Sequence, residues 1–191
     1  MSSNPKTLLT EEEYLALERQ AEFKSEFYDG EMFAMAGASR THNRIVTNVV
    51  TLLDNQLRQR PCNVYANDLR VKIPATGLYT YPDLVVTCGE EKFVDDKQDV
   101  LLNPLAIIEV LSDSTEAYDR GRKFEQYRSI VSFQVYVLIA QDASRAEKYV
   151  KQEDGKFWLY SEVHGVDEIV TVEAIDCVMK IEDIYDKVRS L

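Results

Sequence analysis

YPDLVVT (81–87), NPLAIIEVLS (103–112) and DSTEAYDRGRKFEQYR (113–128) form the stretch whose reading decides the fold. Two short apolar runs each carry one acid. Asp83 opens the first, and Glu109 lies deep in the second among Ile107, Ile108, Val110 and Leu111. Leu, Ile and Val in a row, bounded by proline and turn residues, read as buried strands of a sheet covered on both faces. A carboxylate inside such a strand is costly unless it is paired or bound to a metal. Two such acids, 26 positions apart and followed by Lys123 on the next predicted helix, point to a site.

Outward from this stretch the chain reads as alternating elements. Thr10 to Glu13 is a capping box, in which the threonine hydroxyl accepts from the third amide and the glutamate reaches back. It starts a helix to about Arg19. Phe23 to Ala36 reads as a hairpin turning at Asp29-Gly30. Ser39 or Thr41 can cap a helix from His42 to about Arg58, whose Ile45, Val46, Val49, Leu52, Leu53 and Leu57 recur at three and four. Asn63 to Pro74 suggests one strand or a bent pair, with Asn67-Asp68 as the bulge. Residues 89–103 are a polar loop or short edge element. After the Glu109 strand, a helix is expected from about Thr115 to Arg128, then a buried strand from Phe133 to Ala140. A hairpin over 145–162 turns at Asp154-Gly155; strands near 168–174 and 176–180 and a helix from Ile181 to Arg189 follow.

The 191 residues suit one domain with a full core. It would comprise an N-terminal helix and hairpin (1–36), a core (37–142) and a C-terminal extension (143–191). No run approaches the roughly 18 apolar residues that a membrane span needs. The first residues lack a basic segment followed by an apolar one, so secretion is not expected. Cys62, Cys88 and Cys177 are odd in number and far apart. Their spacing fits neither a disulfide framework nor a zinc site, and reduced thiols in a cytoplasm are the expectation. The net charge of −11 argues against a protein that coats nucleic acid by charge alone. The charge is uneven: Arg40 to Lys72 holds six bases against two acids, and Lys151 to Leu191 holds ten acids against five bases. Contact with an anionic substrate would be local.

Metal-dependent phosphodiesterases need hard oxygen ligands converging at one point. Mg²⁺ takes one or two protein carboxylates, keeps waters and binds the substrate phosphate; it polarises the phosphoryl oxygen and acidifies a bound water. Asp83 and Glu109 on neighbouring strands suit this, and the Val110 carbonyl can add a ligand with no demand on side-chain type. A nearby lysine can orient the water or offset the growing negative charge.

These residues resemble the PD-(D/E)XK nuclease superfamily, and within it the bacterial restriction-endonuclease-like family. Pro82-Asp83 matches the PD element and Glu109-Val110-Leu111 the ExK element, with Leu111 where the lysine usually stands. In the bacterial group the following helix supplies that lysine, and Tyr118 to Lys123 matches its pattern, so the resemblance gives the role to Lys123. Tyr127, four residues on, shares its helix face. Ser25 to Glu31, with Glu26 and Glu31, resembles the group's hairpin, and Ser39 to His42 resembles the start of its first core helix. In some relatives a histidine there binds metal. The resemblance covers roughly residues 8–142. After Arg128 the family usually has a Gly-Val-Pro-Glu-Tyr-Trp-like stretch, where this chain reads SIVSFQ (129–134).

The resemblance implies an α/β (α+β) restriction-endonuclease-like fold: a central mixed β-sheet flanked by helices, with an N-terminal helix-hairpin and a C-terminal β-rich extension. It implies a Mg²⁺- or Mn²⁺-dependent endonuclease acting on nucleic acid, DNA by association. Asp83 and Glu109 would hold the metal, with the Val110 carbonyl and His42 or Glu26 assisting, and a homodimer is implied as well. Plainer readings stand beside it. Glu109 could pair with Arg70 or Lys72, Lys123 with Asp119 at the surface, and Tyr81 and Tyr127 could simply pack. The whole could be a catalytically silent scaffold that keeps the nuclease fold, a reading the acidic charge favours.

Overall fold

The computed structural model describes residues 8–188. Its elements, in chain order, begin with α1 (Glu11–Glu18), β1 (Ser25–Tyr28), β2 (Glu31–Ala34) and α2 (Arg40–Leu57). β3 (Cys62–Ala66), β4 (Arg70–Ile73), β5 (Leu78–Thr80), β6 (Leu84–Cys88), β7 (Val100–Leu101) and β8 (Ala106–Val110) follow. Next come α3 (Glu116–Tyr118), a π-helical turn (Asp119–Lys123) and α4 (Phe124–Tyr127), which run on as one broken helix. β9 (Val135–Ile139), β10 (Arg145–Lys151), β11 (Trp158–His164), β12 (Ile169–Val172), β13 (Cys177–Lys180) and α5 (Ile181–Ile184) complete the chain.

The expected capping box is formed, with Thr10 accepting from the Glu13 amide and Glu13 from the Thr10 amide. The Asp29-Gly30 turn joins β1 to β2, with Phe27 opposite Met32. Both turn residues have positive φ, as a two-residue hairpin turn of this type demands. Asn67, also at positive φ, breaks Asn63 to Pro74 into a bent pair whose halves join different sheets.

A six-stranded mixed sheet, in the order β11-β10-β9-β8-β6-β3, carries the site. Its central strands β8 and β9 are parallel and entirely buried, as their apolar runs, broken in β8 by Glu109, predict. One face packs on α2 and on the C-terminal ribbon β12–β13 with α5. The other, which carries Tyr136 of β9, packs on Phe124, Tyr127 and Phe133. A second sheet, β2-β1-β5-β4-β7, holds the N-terminal hairpin, with α1 closing a small core of Tyr14, Phe27 and Tyr79. No helix among the described residues is long and apolar enough to cross a membrane.

Two expectations need correction. Cys62 and Cys88 are not free thiols: they form a disulfide, with Cα atoms 4.0 Å apart. The antiparallel β3–β6 register sets them directly opposite each other, which their separation in sequence conceals. Cys177 is free and buried. The closing helix is also shorter than the span expected to Arg189: it ends at Ile184, with Lys187 at positive φ, and residues 189–191 lie outside the described residues.

Candidate active site

The antiparallel pairing of Leu84 with Ile108 places the preceding Asp83 across from Glu109. The two acids are tied across the strands by backbone amides. The Asp83 amide donates to Glu109 Oε2 at 3.0 Å, and the Val110 amide donates to Asp83 Oδ2 at 2.8 Å. Because N–H and C=O of one strand residue face the same neighbour, the Val110 carbonyl also faces the β6 side. His42 enters from the first turn of α2, which Ser39 caps by accepting from the His42 amide at 3.0 Å. Its Nε2 lies 3.0 Å from Asp83 Oδ2, while its buried Nδ1 has no partner among the described residues. That 3.0 Å is about the edge of an octahedron with metal–ligand bonds near 2.1 Å.

Lys123 arrives from the opposite side. Its Nζ is 2.7 Å from Glu109 Oε1 and 3.3 Å from Asp119 Oδ1. Tyr127, one turn on, donates its hydroxyl to Glu109 Oε1 at 3.1 Å. The π turn between α3 and α4 buries both Asp119 and Lys123 against the sheet, and such turns recur at functional sites. Tyr136 of β9 fixes it by donating to the Asp119 carbonyl at 3.1 Å. Glu26 of β1 borders the cluster, accepting from Thr80 and, at 3.2 Å, from Tyr118. Glu31 stands at the start of β2 opposite Tyr28.

Burial pushes the Glu109 carboxyl up to about 8; Lys123 opposes that rise, and Asp83 and Asp119 add to it. Burial alone would pull Lys123 down, but Glu109, Asp119 and Glu26 outweigh it and hold the ammonium well above its usual range. Burial, with the charges of Glu109 and Glu26, likewise raises the Tyr127 hydroxyl well above its usual range. Lys123 is the one ammonium facing the buried Glu109 and Asp119, and a further cation beside Asp83 and Glu109 would favour the ionised form of Glu109 against its burial. Among the described residues no three His, Cys, Asp or Glu side chains form a complete metal-binding group. What the strands offer is a pair of carboxylates with an imidazole beside it, a donor set that suits a hydrated Mg²⁺ or Mn²⁺ completed by water and phosphate oxygens.

The profile of the Uma2 family, described as "Putative restriction endonuclease", matches residues 11–179. The chain belongs to the Uma2 family. The Synechocystis protein sll1609, named only as uncharacterized, is 42% identical over 158 residues, covering 83% of this chain and 89% of its own. A second Synechocystis protein, slr1290, equally without a stated function, is 37% identical over 168 residues, covering 87% and 86%. The fold is similar to the crystal structure of a putative nuclease of the DUF820 group from Anabaena variabilis, with a TM-score of 0.74 at 20% identity over 92% of this chain and 96% of that one.

In this Uma2 chain the structure gathers Asp83, Glu109, Lys123, Tyr127 and His42 into one network, with Glu26 at its margin. Neither plainer partner for Glu109 is used: Arg70 pairs with Asp99, and Lys72 with Glu11 at 2.5 Å. The Lys123–Asp119 pair exists but is buried. Sequence reasoning missed Asp119 as a site residue, together with Thr80 and Tyr118. It also missed Gln141, which accepts from Ser39 Oγ at 2.7 Å and donates to the Leu111 carbonyl at 2.6 Å. That glutamine ties the His42 end of α2 to the end of β8. A polar residue directly after a buried apolar strand was the only signal for it.

Proposed function

We propose that this protein is a Mg²⁺- or Mn²⁺-dependent endonuclease that hydrolyses phosphodiester bonds in nucleic acid, with DNA as the substrate. The observation that carries the reading is the buried Glu109 carboxylate, shared between the Asp83 amide on one oxygen and Lys123 with Tyr127 on the other. Asp83 and Glu109, helped by the Val110 carbonyl and His42, would hold the divalent ion, which would supply charge for the phosphoryl oxygens and a more acidic water. Lys123, kept protonated by its carboxylates, serves as a donor and not as a base: it orients the attacking water and offsets charge as the phosphorus–oxygen bond breaks. Tyr127 fixes the Glu109 carboxylate, and Asp119 fixes the lysine.

The test is direct. Titration with Mn²⁺ should raise the thermal midpoint of the protein, and Asp83→Ala should abolish that rise. A supercoiled plasmid should be nicked in the presence of Mg²⁺ or Mn²⁺, and Glu109→Ala or Lys123→Ala should each reduce nicking at least a hundredfold, about 3 kcal/mol in the barrier. A midpoint unmoved at millimolar metal would leave a silent nuclease fold as the better reading.

A further inference from the structure

We propose that the substrate is gripped at only a few phosphates, over a short stretch of strand, and not as a duplex held along a track. The inference rests on the phosphodiesterase reading and concerns what that site can hold. A protein that neutralises many phosphates needs many free lysines and arginines arranged along its surface. Here most cations among the described residues are already committed to carboxylates. Arg19 holds Asp95 and Asp99, Arg70 holds Asp99, and Arg120 holds Glu116 and Glu147. Lys24, Arg44, Arg60, Lys72, Arg145, Lys148, Lys180 and Lys187 are similarly paired.

Those outside ion pairs are dispersed. Arg58 lies at the far end of α2, and 18 residues of helix separate the two ends by about 27 Å. Lys92 and Lys97 share their loop with Glu90, Glu91, Asp95, Asp96 and Asp99, and Lys156 sits beside Glu153 and Asp154 in the β10–β11 turn. Among the described residues, two exposed arginines that no carboxylate or ring engages stand beside site residues in sequence: Arg40, two residues before His42, and Arg122, next to Lys123; a third, Arg128, next to Tyr127, lies over the Phe124 ring instead. Arg40 and Arg122 flank the site from opposite elements, enough for the phosphates on either side of a scissile bond. A net charge of −11 repels the rest of a long polyanion.

The experiment is fluorescence anisotropy with a short single-stranded oligonucleotide and a duplex of several helical turns, with Ca²⁺ replacing Mg²⁺ and the monovalent salt varied. The short strand should bind within a few-fold of the duplex. The slope of log affinity against log salt should be about −2, and Arg40→Ala and Arg122→Ala should each flatten it by about one. A duplex preference of orders of magnitude, a slope steeper than about −5, or no binding of the short strand overturns the inference. Plasmid nicking with a steep slope would sink this inference and leave the nuclease reading standing. Binding as expected without cleavage in Mg²⁺ would do the reverse.

Discussion

Glu109 and Lys123, 2% and 5% exposed, depend on each other more than on the rest of the core. Removing one partner of a buried ion pair strands the other charge and costs about 3–5 kcal/mol, whereas replacing both with apolar groups of similar volume is often near neutral. Lys123→Met should therefore destabilise the protein by about 3 kcal/mol in urea denaturation, and Glu109→Leu combined with it should recover part of that loss, the rest remaining because buried Asp119 still lacks its cation. Penalties that simply add would show that the two residues are not coupled. The pair was half legible in the sequence. An acid amid Ile107, Ile108 and Val110 has to be compensated, so Glu109 announced itself, and Asp83 followed from the neighbouring strand. Its partner Lys123 was named through the family resemblance, because from the residues alone a lysine four residues after Asp119 also describes an ordinary surface pair. Only the packing of the π turn against Tyr136 buries it. Cys62 and Cys88 were illegible for a related reason: cross-strand register, not spacing, sets them opposite each other.

The N-terminal elements are joined to the core by charge. Arg19, at the end of α1, donates to Asp99 at 2.9 and 2.7 Å and to Asp95 at 2.7 Å, and Arg70 of β4 reaches Asp99 from the other side. The hydrogen bond from Arg19, with the charges of both arginines, holds the Asp99 carboxyl below its usual value of 3.8 against a smaller opposing effect of burial. A folded-state pKa below the unfolded one gives stability that is full above about pH 4 and lost as the pH falls through the folded value. The stability gap between the parent and Asp99→Asn should accordingly be constant from neutral pH to about pH 5 and shrink below pH 4, followed by chemical denaturation at each pH. A gap that widens on acidification would contradict this linkage. The capping box and the Asp29-Gly30 turn were legible because local chemistry dictates them. The attachment of α1 to the 89–103 loop was not, since Arg19 and Asp99 are 80 residues apart.

At the scale of the whole molecule, the C-terminal segment completes the core instead of decorating it. Val170, Val172, Ile175, Cys177, Met179, Ile181 and Ile184 are all buried in the cluster that includes α2 and the six-stranded sheet. The polar residues of α2 bind the same segment. Asn48 donates to the Ile184 and Asp186 carbonyls at 2.8 and 2.9 Å, and Gln56 exchanges hydrogen bonds with the Val178 backbone at 2.8 and 3.0 Å. This explains why an otherwise amphipathic helix buries an asparagine, a feature that periodicity alone leaves unread. It also connects the tail to the chemistry, because His42 lies in the first turn of α2 and the tail clasps that helix along its length, from Arg44 to Gln56. A chain ending at residue 165 would expose this face of α2, lose its hydrogen-bond partners and forfeit several buried aliphatic side chains, each worth about 1.5–3 kcal/mol. Such a loss is comparable to the roughly 5–15 kcal/mol that usually holds a domain folded. The truncated chain should show no cooperative thermal transition by circular dichroism and no stabilisation by Mn²⁺, while the full chain shows both. A cooperative transition in the truncated chain would mean that the sheet and α2 hold His42 in place without the tail.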